Sequence, residues 1–208
     1  MKQTKRLNSH HTLCVQYGLR VTMRIDEYIQ QKERHLLKSK DRIKNPAVFD
    51  FNYIPEKPLM RKEVKPLIDA LLRYRHSGIA NNLMVLGSRG SGKSLLAQYL
   101  MKFLSKDIRM LYVNCRENNT SFKILARLLG VRARGCTLDE LWYRLIDRQQ
   151  GKTVFILDEI DLLNDKDRRA DILYLISRSE RNFMAILLSN NPKYTHSLDG
   201  SVMSTLQP

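Results

Sequence analysis

Residues 83–94 decide the fold, and they read Leu83-Met84-Val85-Leu86-Gly87-Ser88-Arg89-Gly90-Ser91-Gly92-Lys93-Ser94. The four apolar residues at the start predict a short buried strand, and the apolar spacing over residues 95–104 predicts a helix. The residues between them fit G-x-x-x-x-G-K-[ST], the pattern of a phosphate-binding loop. Because that loop lies between a strand and a helix in known folds, its context here favours a phosphate loop over a flexible Gly/Ser turn.

The residue types of this loop suit a bound polyphosphate. Glycine has no Cβ, so phosphates can lie against the backbone, where the loop amides form an anion nest. The positive end of the following helix adds to the attraction. Lys93 brings a full charge to the β- and γ-phosphates, and the Ser94 hydroxyl is a ligand for Mg²⁺. The sequence therefore predicts nucleotide binding with Mg²⁺ by Gly87, Ser88, Arg89, Gly90, Ser91, Gly92, Lys93, Ser94 and Leu95.

Apolar runs and helical patterns alternate along the rest of the chain. The predicted strands are 83–86, 110–113, 153–157 and 183–188, and the predicted helices are 24–40, 61–74, 95–104, 122–129, 138–146 and 170–179. Thr137 followed by Glu140 is a capping-box pattern at the start of one of these helices. Continuously apolar strands separated by helices indicate an α/β fold with a parallel sheet covered on both faces.

Polar residues follow two of these strands. Asp158 and Glu159 come directly after residues 153–157, and Asn190 follows residues 183–188. Carboxylates at the end of a buried strand are costly without a cation, and open α/β sheets bind ligands at that end. We predict that Asp158 holds Mg²⁺ through water, that Glu159 polarises the attacking water, and that Asn190 positions it. The alternatives are a solvated helix cap for the acidic pair and a turn before Pro192 for Asn190.

The composition limits the class of protein. Lys plus Arg number 36 and Asp plus Glu number 21, a net charge of +15, which favours either nucleic-acid contact or simple solubility. The chain has no apolar run of about 18 residues, so no membrane-spanning helix is expected. Its three cysteines are widely spaced, which argues against a disulfide framework and for a cytoplasmic protein. His10 and His11 near Cys14 are too few ligands to predict a metal site.

The domain organisation follows from the prolines. Four of the six prolines lie within residues 45–66, which indicates an extended linker that enters a helix. We therefore divide the chain into a basic N-terminal extension, residues 1–44, and a nucleotide-binding domain, residues 45–208.

The phosphate loop, Asp158-Glu159 and Asn190 together resemble an AAA+ ATPase. Over about residues 49–208, further segments resemble the archaeal and eukaryotic replication initiators, which are origin-recognition and helicase-loading proteins. These segments are Tyr53-Ile54-Pro55-Glu56, Arg61-Lys62-Glu63, Tyr112-Val113-Asn114-Cys115-Arg116, Arg134-Gly135, residues 157–163, Asp171-Ile172-Leu173-Tyr174 and Leu188-Ser189-Asn190-Asn191.

The resemblance implies ATP and Mg²⁺ as cofactors and an AAA+ parallel sheet flanked by helices. It implies that Tyr53, Ile54, Pro55 and Arg61 pack on the adenine. Initiators continue into a fifth core strand, a helical lid and a winged helix, so a chain ending at Pro208 is expected to be an incomplete AAA+ domain whose first strand is a sheet edge. Ser201 stands where the family carries an arginine finger, which predicts weak or absent hydrolysis.

The function that this resemblance implies is ATP-dependent initiation of DNA replication. The expected partners are double-stranded DNA, a full-length initiator or a replicative helicase, with no membrane. Two alternatives remain open from the sequence. One is a truncated module or paralogue fragment that binds partners without hydrolysing ATP, and the other is a different P-loop ATPase such as a transposition helper.

Overall fold

The computed structural model describes residues 24–40, 45–50, 53–56, 58, 60–132, 134–164, 167, 171–198, 200–204 and 206. The chain forms two units, Met1–Tyr53 and Ile54–Pro208. In the first unit, helix α1 (Ile25–Lys40) has Asp26 and Glu27 in its first turn, which is favourable for the helix dipole. A short 3-10 turn, Pro46–Phe49, follows and is capped by the Asn45 side chain. His10, His11 and Cys14 lie outside the described residues.

The second unit is built on a parallel sheet. Its strands are β1 (Leu83–Leu86), β2 (Arg109–Asn114), β3 (Thr153–Asp158) and β4 (Met184–Ser189), in the order β1-β4-β3-β2. All three pairings are parallel, so the predicted α/β fold is confirmed. Every residue of the two central strands, β3 and β4, is buried, which explains why their sequences are almost continuously apolar.

Helices cover both faces of this sheet, and the side chains of β3 alternate between them. Phe155 and Leu157 belong to one buried cluster, and Val154 and Ile156 belong to the other. Helices α2 (Lys65–Ser77) and α3 (Lys93–Leu104) contribute to the second cluster; the first includes residues of α4 (Ser121–Leu129), α5 (Leu138–Asp147) and α6 (Asp171–Ser177). A last short helix, α7, spans Gly200–Met203. None of the described helices is long and apolar enough to cross a bilayer.

The helix ends show which sequence signals were sufficient. The capping box at Thr137 and Glu140 is present at the start of α5, as predicted. Helix α2 was predicted over residues 61–74 but begins at Lys65, because a 3-10 turn (Lys62–Val64) precedes it. It ends at Ser77, where Gly78 takes a left-handed conformation (φ 75°) and donates its N–H to the Tyr74 carbonyl.

Strand β1 is the outermost strand of the sheet, as the sequence predicted. Among the described residues it pairs only with β4, and the Leu86 side chain is 43% exposed. Just before β1, Asn82 forms an isolated parallel bridge with Leu206. The Asn82 side chain also accepts a hydrogen bond from the Ala185 N–H at 2.8 Å, which ties this turn to the start of β4. The chain therefore returns to the β1 edge near its last described residue.

Tyr74 joins α2 to the amino ends of the central strands. Its hydroxyl accepts the Thr153 N–H at 2.9 Å and lies 3.1 Å from the carbonyl oxygens of Thr153 and Asn182, to one of which it donates. The side chain is 1% exposed, and burial raises the pKa of its phenol. Without the hydroxyl, the Thr153 amide would lose its acceptor in a site that water does not reach.

We expect Tyr74→Phe to lower the free energy of unfolding by about 1–3 kcal/mol, the usual cost of leaving a buried polar group without its partner. Urea unfolding measures the change. Tyr143→Phe is the matched control, because Tyr143 is 66% exposed and its hydroxyl is in water. Equal stabilities for the two variants would contradict the assigned role of Tyr74.

Candidate nucleotide site

The register of the sheet brings the predicted site to one rim. Because all strands run parallel, their carboxyl ends lie on the same side of the sheet. Asn114 pairs with Asp158 at the ends of β2 and β3, and Leu86 pairs with Ser189 at the ends of β1 and β4. The Gly87 N–H donates to the Ser189 carbonyl at 3.2 Å, so the phosphate loop begins directly beside the end of β4.

The loop backbone is open towards solvent. Gly90 and Gly92 have φ values of 77° and 88°, a region that residues with a Cβ rarely adopt, and among the described residues only their chain neighbours would lie within 4 Å of a Cβ at either position. Helix α3 begins at Lys93 without a side-chain cap. Its first backbone N–H groups are thus left to an external acceptor, and an anion fits this position because the helix dipole favours negative charge there.

Lys93 is the centre of the hydrogen bonds at this rim. Its Nζ lies within hydrogen-bonding distance of the carbonyl oxygens of Gly87 (2.6 Å) and Ser88 (3.0 Å) and of the side-chain oxygens of Ser91 (3.3 Å) and Asn190 (2.8 Å), which share its three N–H donors. The structure therefore brings Lys93 and Asn190 together, as their positions after parallel strands predicted. The ammonium lies between the loop and the end of β4.

Asp158 is a buried carboxylate with two neutral donors. It is 1% exposed, and its oxygens accept the Tyr112 hydroxyl at 2.8 Å and the Glu159 N–H at 2.9 Å. Burial, followed by the bond to Asp158, raises the pKa of Tyr112 well above its usual value, so the phenol stays protonated and remains a donor. None of the ion pairs between described residues includes Asp158, so its charge suits an added cation.

Glu159 projects away from the buried strand in a constrained turn. Its backbone is left-handed (φ 52°, ψ 43°), which is uncommon for a residue with a side chain. Its carboxylate accepts Arg116 Nε at 2.8 Å on one oxygen and Arg116 Nη2 at 3.2 Å on the other. The bond to Arg116 is the main reason that the pKa of Glu159 is lowered, and partial burial opposes it. Glu159 is therefore ionised at neutral pH, with both oxygens occupied by one guanidinium.

Several residues at the rim were not predicted as site residues from the sequence. Tyr112 and Arg116 bind the acidic pair, Asn114 lies beside Asp158 at the end of β2, and Asp161 accepts the Asn190 N–H at 3.1 Å. Tyr112, Asn114 and Arg116 could have been predicted in the same way as Asp158. Residues 110–113 were predicted as a parallel strand, and the carboxyl ends of parallel strands lie at the same rim. Asp161 connects the turn after β3 to the end of β4.

The remaining predicted residues are placed as follows. Arg61 lies at the loop, where its Nη1 donates to the Ser91 carbonyl at 3.1 Å. Ile54 and Pro55 are half-buried in the second unit, whereas Tyr53 belongs to the first unit and donates its N–H to the Asp50 carbonyl at 3.0 Å. The loop residues Ser88 and Arg89 are exposed, as is Ser94 in the first turn of α3, and Leu95 is half-buried.

Comparison with known proteins agrees with this architecture. The family model described as "AAA domain" matches residues 77–196. The ORC1-type DNA replication protein of Thermococcus kodakarensis is 28% identical over 87% of this chain and 49% of its own length. The ORC1-type DNA replication protein 1 of Sulfolobus acidocaldarius is 32% identical over 74% of this chain and 43% of its own. The chain thus spans about half the length of these curated relatives.

Solved structures give the same result. The Aeropyrum pernix Orc1 protein, determined in complex with DNA, superposes with a TM-score of 0.65 at 26% identity, over 78% of this chain and 47% of that one. Cdc6p from Pyrobaculum aerophilum shares the fold with a TM-score of 0.64 at 19% identity. The sheet, the family match and these relatives agree with one another. The chain belongs to the AAA+ ATPase family, in the branch of archaeal and eukaryotic origin-recognition replication initiators.

Proposed function

We propose that this protein binds ATP with Mg²⁺ at the rim formed by the phosphate loop and the ends of β3 and β4. The observation that carries the proposal is the placement of the Lys93 ammonium, which is bonded to the loop carbonyls and to Asn190. Phosphate oxygens are stronger acceptors than carbonyl oxygens, so a polyphosphate offers this ammonium better partners. The loop amides of residues 87–92 and the start of α3, with Ser94 and Leu95, supply the remaining contacts.

The residues at the rim also fit Mg²⁺. Asp158 supplies an anionic oxygen and Ser94 a hydroxyl, and Mg²⁺ prefers oxygen ligands while retaining several waters. Bound there, Mg²⁺ would neutralise charge on the phosphates. The Tyr112 hydroxyl and the Glu159 N–H would hold the two oxygens of Asp158 in orientation, and each oxygen keeps a lone pair for a ligand water.

The adenine contacts are proposed from the segment before α2. Arg61 already reaches the phosphate loop through Ser91, which supports a place for this segment beside the nucleotide. We propose that Ile54, Pro55 and Arg61 pack on the base.

We expect Lys93→Ala to weaken binding of ATP with Mg²⁺ by between about 10- and 100-fold, because the phosphates lose a charged hydrogen-bond donor. Isothermal titration calorimetry gives the affinity. Lys102→Ala is the matched control, since Lys102 is an exposed lysine near the end of the same helix. Unchanged affinity in Lys93→Ala would show that the nucleotide site is elsewhere.

Hydrolysis is proposed to be weak, with Glu159 as the residue that polarises the water and Asn190 as the amide that positions it. A general base must accept a proton from water. Arg116 occupies both oxygens of Glu159 and stabilises its ionised form. The Glu159 carboxylate is thus a weaker base than a free one, and the bidentate bond takes up one lone pair on each of its two oxygens.

We expect Arg116→Ala to raise the steady-state ATPase rate severalfold, since it frees the Glu159 carboxylate. The acid limb of the pH–rate profile should move to higher pH, because activity requires ionised Glu159 and the variant lacks the guanidinium that lowers its pKa. Phosphate release at several pH values measures both effects.

The double variant Arg116→Ala/Glu159→Gln is the control for this experiment, and it should hydrolyse no ATP above background. A lower rate in Arg116→Ala alone would mean that Arg116 holds Glu159 in a productive position. An unshifted acid limb would mean that Glu159 is not the group that titrates.

The cellular role that we propose is that of a replication initiator, which recognises origin DNA and assists helicase loading in the cytoplasm. Support comes from the ORC1-type relatives, from the Aeropyrum pernix protein solved with DNA, and from the net charge of +15. A basic protein attracts a duplex through its phosphates. A full-length initiator or a replicative helicase is the proposed protein partner. The relatives do not favour a transposition helper or a non-hydrolysing fragment.

We expect affinity for duplex DNA to fall by at least about tenfold between about 50 and 200 mM salt, because each phosphate contact releases counterions. Fluorescence anisotropy with labelled duplex measures it. The control for sequence recognition is a random duplex of the same length as the origin duplex. An initiator should have the higher affinity for the origin duplex. Binding that does not change with salt would contradict phosphate contact.

A further inference from the structure

Arg89 lies in the turn of the phosphate loop, between Ser88 and Gly90, and its side chain is exposed. The other basic residues near the loop have partners: Lys93 lies within hydrogen-bonding distance of four oxygens, Arg61 donates to the Ser91 carbonyl and Arg116 to Glu159. Within the described part of the chain, no hydrogen bond or ion pair involves the Arg89 guanidinium. Among the described residues, Arg89 is therefore a cation at this rim that is available to a ligand.

The position of Arg89 limits the part of a ligand that it can contact. The loop follows β1 and Glu159 follows β3. Strand β4 lies between β1 and β3 in the sheet. Neighbouring strands are about 4.8 Å apart, so a gap of about 10 Å separates the ends of β1 and β3. Arg89 lies on the β1 side of this gap.

The same gap is where the end of a triphosphate would lie. The loop amides would surround the inner phosphates, Lys93 would reach the β- and γ-phosphates, and Glu159 is proposed to act on the water that attacks the outermost one. We propose that Arg89 binds the terminal phosphate of ATP and selects the triphosphate over the diphosphate. A guanidinium can donate two parallel hydrogen bonds to phosphate oxygens, which a lysine cannot. This inference rests on the proposed nucleotide site.

The test measures Arg89→Gln and Arg89→Lys for binding of the ATP analogue AMP-PNP and of ADP, both with Mg²⁺. In Arg89→Gln the AMP-PNP affinity should fall about tenfold, the scale of one charged hydrogen-bond pair, while ADP affinity changes by less than about twofold. Arg89→Lys should lie between wild type and Arg89→Gln, because charge is kept but the paired donors are lost.

Arg73→Gln is the matched control, since Arg73 is an exposed arginine next to Tyr74, which binds the amino ends of the strands at the opposite rim. It should leave both affinities unchanged. Equal losses for AMP-PNP and ADP in Arg89→Gln would overturn the inference, and so would no loss for either. After either of these two results, the proposed nucleotide site would still stand if Lys93→Ala had lost affinity for both AMP-PNP and ADP. Failure of the wild type to bind either nucleotide would overturn both proposals.

Discussion

Parallel pairing of the four strands is the constraint on which the other features of this structure depend. It places every carboxyl end at one rim, so residues separated by about a hundred positions in sequence become neighbours, as Lys93 and Asn190 do. The pairing itself is maintained by burial: β3 and β4 are fully buried between two layers of helices. Tyr74 fixes the opposite end of the strands. A substitution that shifted the strand register would separate the loop from the acidic residues even though the site residues themselves were unchanged.

Within that rim, charge is distributed unequally between the buried and the exposed positions. Asp158 is buried and bonded only to neutral donors among the described contacts, whereas Glu159 is bonded to a full positive charge. The neighbouring carboxylates therefore differ in what they can accept. Asp158 retains a negative charge that favours a cation, and Glu159 has its charge satisfied by Arg116. The left-handed backbone at Glu159 produces this difference, because it turns successive side chains towards different partners.

The sequence was sufficient for the sheet and its parallel direction, and hence for which chain segments meet at one rim. Apolar runs such as residues 153–157 and the spacing of glycines before Lys93 carry that information directly. The start of α2 was missed although Pro66 marks it, because proline has no N–H to donate to the Lys62 carbonyl and is favoured in the first turn of a helix. Arg116 was not identified as a partner of Glu159, since the residues are 43 positions apart and no local pattern encodes an ion pair at that separation. The roles of the individual site residues remain predictions.

The ion pairs and hydrogen bonds of the rim differ in how readily a ligand can replace them. The Arg116 side chain is 56% exposed, and an ion pair in contact with water contributes little to stability because solvent screens it. Lys93 is half-buried and has four acceptors, so its position is fixed by many contacts at once. The group proposed to anchor the phosphates is thus held rigidly, and the contact that occupies Glu159 is the weaker one. Hydrolysis is therefore restrained by a contact that solvent screens, whereas phosphate binding depends on a group that many contacts hold in place.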